Sequence, residues 1–63
     1  MTYRVTSCTA YYEHVYGTAA SLADAIALVP GGIMFMEEDA DYPNHYDAIT
    51  KHGLVVSITP IKV

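Results

Sequence analysis

Apolar and polar positions alternate with period two at both ends of this chain and follow a helical spacing near its middle. At the amino end, Tyr3, Val5 and Ser7 alternate with Arg4, Thr6 and Cys8, and the abundance of β-branched and aromatic residues through Tyr12 predicts an opening strand. A straight strand from Tyr3 to Gly17 would run about 50 Å at ~3.3 Å per residue, whereas a globule of this length is roughly 22 Å across, twice a radius of gyration of ~11 Å. The segment therefore breaks near Thr9 to Glu13. Two strands are the reading taken here. The alternative is a short helix over TAYYEHVYG with Thr9 as cap and Gly17 as terminator.

Ser21-Leu22-Ala23-Asp24 carries the clearest local signal, a cap serine with an acidic residue three places on, which satisfies free amides and opposes the helix dipole. A helix to about Val29 follows, with Leu22, Ala25, Ile26 and Val29 as its buried stripe and with alanines that allow close approach to a sheet. Pro30-Gly31-Gly32 ends it. Ile33 to Glu38 is a strand apolar on both faces at its start, as in a central or covered position. Pro43, the Asp47/Lys51 spacing and Gly53 predict a short helix over 43–52. A last strand alternates Leu54, Val56, Ile58 with Val55, Ser57, Thr59 and is closed by Pro60. The fold expected is α+β: a small three- or four-stranded, mainly antiparallel sheet with one or two short helices packed on one face.

Sixty-three residues make one domain, and so short a chain buries only about 60% of the surface exposed when it unfolds. Small domains usually add a disulfide, a metal or a second subunit. Cys8 is the only cysteine, so an internal disulfide is impossible and paired Cys/His zinc spacings are absent. With 52% apolar residues, a homo-oligomer or a partner interface is expected to cover what the core cannot. The start MTYRVTSCTA lacks the basic and apolar pattern of a secretory signal and no run approaches a membrane span, so a cytoplasmic protein with no membrane partner is expected. The net charge of −4, with Arg4, Lys51 and Lys62 as the cations, argues against direct nucleic-acid contact. A helix–turn–helix drawn over 9–29 would place Asp24, with no Arg or Lys, on its recognition helix.

The stretch MFMEEDADYPNHYD, residues 34–47, holds Glu37, Glu38, Asp39, Asp41, Asp47 and His45. As a calcium loop starting at Asp39 it has Asp41 third but Pro43 fifth, Asn44 sixth and Thr50 twelfth, which fails the required pattern. His45 and His52, seven residues apart on a helix, would stand near 10 Å from each other, too far to share an ion unaided. Cys8 and His14 are conceivable as nucleophile and base, but a lone strand cysteine more often acts as a small hydrophobe. No catalytic residue, metal or cofactor is assigned. Gly31-Gly32 follows a helix and is stop chemistry rather than a phosphate cradle.

Six tyrosines are the remaining anomaly, since Tyr11, Tyr12, Tyr16, Tyr42 and Tyr46 cannot all find buried partners in so small a core. Tyrosine is enriched in protein interfaces; the plainer reading has the rings shielding sheet edges. If 33–41 is extended, Glu37, Asp39 and Asp41 share one side at about 6.6 Å spacing, a ridge that would steer a basic surface. The expected function is thus a small acidic, non-enzymatic protein-binding module. Its candidate contacts are Glu37, Glu38, Asp39, Asp41, Tyr42, Tyr46, Tyr11 and Tyr12, and its partner is a protein with a basic surface. The alternative is a metal- or small-molecule-binding enzyme assembled at a homodimer interface. In composition the chain is similar to the tiny, acidic, tyrosine-bearing proteins that phages and other mobile elements encode to block host nucleases, although its charge excess is milder than a full DNA mimic would carry. That resemblance implies an inhibitor.

Overall fold

A computed structural model describes residues 1–8 and 11–61. Strands β1 (Thr2–Cys8) and β2 (Glu13–Ala19) form the opening antiparallel pair, helix α1 (Leu22–Ala27) follows, and β3 (Ile33–Glu38), β4 (Tyr46–Thr50) and β5 (Val55–Ile61) complete one sheet in the order β2-β1-β5-β4-β3. Every neighbouring pair is antiparallel. The two-strand reading of the amino end is met; the Thr9 cap of its alternative lies outside the described residues. The radius of gyration is 10.9 Å and the extents are 30 × 23 × 22 Å, which is why a single straight strand was impossible.

The sheet has five strands, not three or four, because Tyr46–Thr50, within the span 43–52 expected to be helical, forms β4 instead. Asn44 sits at φ 66°, a left-handed turn conformation that blocks a helical start. Tyr46, Ala48 and Thr50 then point to the interior while Asp47 and Ile49 point outward, the period of a strand. β5 also runs through Pro60, which pairs in register with Tyr3. The last β4 partner is Tyr46, opposite Ile58. Pro60 therefore stands where β5 has outrun β4 and one side of the strand has no ladder to lose.

Connecting edge strand β2 to edge strand β3 obliges the chain to cross the whole sheet, and α1 makes that crossing on one face. Ser21 caps it as expected, its Oγ accepting the Asp24 N–H at 3.1 Å. Ala25 is fully buried and Val29 nearly so; with Tyr3, Val5, Val56 and Ile58 they form the core, against which Leu22 and Ile26 also pack. Burying Val5, Val56 and Ile58 stabilises the fold by roughly 1.5–3 kcal/mol each. No helix among the described residues is long and apolar enough to cross a membrane.

Among the described residues one helix makes one crossing, and it covers one face of the sheet. Thr6, Ser57, Asp47 and Glu37 lie in one register row on the other face, and Val55, Ile49 and Phe35 in the next. Both edge strands are irregular: the register shifts between Val5 and Thr6, leaving Tyr16 as the extra residue of β2, and between Ile33 and Phe35, leaving Met34 as the extra residue of β3.

Candidate functional site

The acidic stretch divides between structural work and exposure. β3 ends at Glu38, so Asp39 and Asp41 do not continue an extended ridge beyond Glu37. Asp39 instead folds the following loop, its Oδ1 accepting the N–H groups of Asp41 at 2.8 Å and Tyr42 at 3.2 Å, an Asx turn. The loop is closed by the Asp39 N–H donating to the His45 carbonyl at 2.7 Å. Glu38 Oε2 accepts the Asn44 N–H at 3.0 Å. Its carboxylate also lies beside Tyr46, its cross-strand partner. Desolvation first, and then the Glu38 charge, hold the Tyr46 phenol above its ordinary value of 10.0. Tyr42 stacks obliquely on His45 with ring centroids 5.6 Å apart.

Of the eight expected contact residues, Glu38, Asp39, Asp41, Tyr42 and Tyr46 therefore gather at the β3–β4 loop. Tyr11 and Tyr12 are exposed, Tyr11 at 94%, but they lie between β1 and β2, at the opposite end of the sheet and across its width. The structure does not bring the two groups together. His45 precedes β4 and His52 follows it, so a whole strand separates them. Cys8 pairs with Glu13 and His14 with Ser7; because successive strand residues alternate faces, Cys8 and His14 project from opposite sides of the sheet. No group of three or more His, Cys, Asp or Glu side chains suited to a metal ion occurs among the described residues.

Glu37 alone of the expected residues stands on the open face, and there it meets residues that the sequence reading passed over. Directly opposite it on β4 is Asp47, two carboxylates on one face at a Cβ separation of about 5 Å. Ser57, next in the row, donates its Oγ–H to Asp47 Oδ1 at 3.4 Å. Arg4 is a cation of the same face but stands on β1, opposite Thr59 and Thr18 in another row. Alongside the carboxylates, Phe35, Ile49 and Val55 form a transverse apolar row across β3, β4 and β5. They are 56%, 38% and 56% exposed. Together with Glu37 and Asp47 they line an open concavity of about 390 Å³.

The β4–β5 turn sets the register of this row. Thr50, buried, accepts at Oγ1 the N–H of His52 at 3.3 Å and of Leu54 at 3.1 Å, and its backbone bonds to Leu54 and Gly53 close the hairpin. Ile49 and Val55 flank that turn. A β4 strand had to be recognised before Asp47 could be placed opposite Glu37, and the alternation Tyr46, Ala48, Thr50 was the signal available for it. Compared with known proteins, the chain matches no family model, no curated protein and no solved structure.

Proposed function

We propose that this protein is a non-enzymatic binding module that engages a basic surface of another protein through the uncovered face of its sheet. One observation carries the reading: the Glu37–Asp47 carboxylate pair set directly beside the exposed Phe35–Ile49–Val55 row. Like charges directly opposite on adjacent strands destabilise a sheet, and a local rule broken in this way is the pattern expected of a functional position. A cationic partner removes the repulsion. The adjoining apolar row supplies the area that such a contact excludes from water. The exposed Asp41 and Tyr42 extend the acidic surface at the β3–β4 loop. Likeness in composition to inhibitors carried by mobile elements supports occlusion of the partner as the outcome of binding. A dimer built on another surface is compatible with this reading.

The test is affinity capture from cell extract with the wild-type chain and with Glu37→Lys/Asp47→Lys, read by quantitative mass spectrometry at low and high salt. Expected is a basic protein retained by the wild type, released as salt rises, and lost with the double variant. Equal retention by both overturns the assignment. Asp39→Lys is unsuited to the purpose because it would remove the Asx turn and disturb the loop as well as the charge.

A further inference from the structure

We propose that the occupant of the open face is a basic amphipathic α-helix of the partner protein, laid across β3, β4 and β5. This rests on the protein-binding reading and specifies the shape and chemistry of what is bound. The apolar row spans two strand separations, about 10 Å. Positions i and i+7 of an α-helix are about 10.5 Å apart at 1.5 Å per residue, so apolar side chains at i, i+3 or i+4, and i+7 fall in turn on Phe35, Ile49 and Val55. Glu37 and Asp47 form the parallel row two residues further along their strands, about 6.6 Å away. That is the distance at which Lys or Arg on the flank of a helix about 10 Å in diameter reaches a carboxylate.

Two other occupants fit less well. Strand addition needs a regular free edge, and both edges carry a bulge, at Tyr16 in β2 and at Met34 in β3, the device by which sheets resist edge pairing. A second copy would bring another Glu37–Asp47 pair, and a chain of net charge −4, against the first. Charge complementarity selects a cationic partner.

The probe is a synthetic Leu/Lys peptide of about four helical turns with leucines at i, i+3/i+4 and i+7, compared with an alternating Leu/Lys peptide of the same composition and a Leu/Glu helix. Binding is followed by amide chemical shifts of the isotope-labelled protein. Expected are saturable shifts centred on Phe35, Glu37, Asp47, Ile49 and Val55 with the Leu/Lys helix, and affinity reduced at least about tenfold by Phe35→Ser and by Glu37→Lys/Asp47→Lys. Circular dichroism of both variants should match the wild type. Tighter binding of the alternating peptide with shifts along the outer side of β3, equal binding of the Leu/Glu helix, or a sedimentation dimer dissolved by Phe35→Ser would each overturn the proposal. Failure of the helical peptide, alongside salt-sensitive capture that depends on Glu37, removes the helix and leaves the protein-binding reading standing; failure of both experiments removes both.

Discussion

Reversing one charge in the Glu37–Asp47 pair should stabilise the protein while it abolishes binding. In Glu37→Lys a cross-strand repulsion becomes an attraction between side chains whose Cβ atoms are about 5 Å apart. Coulomb's law in water gives about 0.8 kcal/mol for each sign at that distance, so the unscreened ceiling of the change is about 1.6 kcal/mol. Glu37 is exposed, and a Debye length of about 8 Å at physiological ionic strength removes close to half of it. The expected gain is therefore about 0.5–1 kcal/mol, or roughly 2–8 °C in Tm for a chain of this size. Asp41→Lys provides the control: it makes the same change in net charge on an exposed loop residue, so the difference between the variants isolates the pair. The assay is urea unfolding followed by circular dichroism at low and high NaCl. Glu37→Lys should exceed Asp41→Lys in midpoint at low salt, with the margin shrinking as salt rises and the m-value unchanged. A variant less stable than wild type, or a gain indifferent to salt, would refute the repulsion on which the functional reading depends.

Other consequences are local. Thr50→Val removes the one oxygen that accepts two N–H groups of the β4–β5 turn and should cost about 1–2.5 kcal/mol in urea unfolding, while Thr50→Ser, which keeps the oxygen, should lose less; equal losses would show that the methyl group matters rather than the hydroxyl. Tyr46 has a folded-state pKa raised above the unfolded value, so its contribution to stability is full below about pH 10 and declines as pH rises through the folded value. Spectrophotometric titration should show a late-ionising phenol absent from Tyr46→Phe and moved part-way down by Glu38→Gln, desolvation remaining; an unchanged curve for either variant would exclude that cause. Gly31 has φ 76°, and a Cβ there would lie 2.9 Å from His52 Cδ2. Because the ring can move and the backbone cannot, Gly31→Ala should cost about 1–2 kcal/mol, and His52→Ala in the same chain should not restore the loss in thermal unfolding.

Misreading β4 as a helix had a definite physical origin. Pro43, the Asp47/Lys51 spacing and Gly53 are each reasonable helix signals, and all act over a few residues. What overrode them was burial of Tyr46, Ala48 and Thr50 against neighbouring strands, a term absent until β5 is in place. Gly17, the terminator in the alternative helical reading, lies inside β2 beside the bulge at Tyr16, where its φ of 144° is one that residues with side chains rarely adopt. The candidate site suffered the same limitation. Asp39 looked like part of an exposed ridge and Glu38 like a contact residue beside it, but the loop's amide groups claim both carboxylates. Phe35 lies fourteen residues from Ile49 and Ile49 six from Val55, and only strand pairing makes the three a row.

By itself the sequence determined the elements governed by neighbours along the chain. These are the Ser21-capped helix, though it ends at Ala27 rather than near Val29, the alternating strands at both ends, the exclusion of an internal disulfide, and the excess of acidic charge. Capping, turn geometry and side-chain alternation are complete within a few residues, so no distant partner is needed to read them. The tertiary structure alone decided that β5 inserts between β1 and β4, that Tyr46–Thr50 joins the sheet, and that Glu37 faces Asp47 beside an apolar row. Each of those depends on which segments pair across the sheet, and pairing is settled by burial and register over the whole chain.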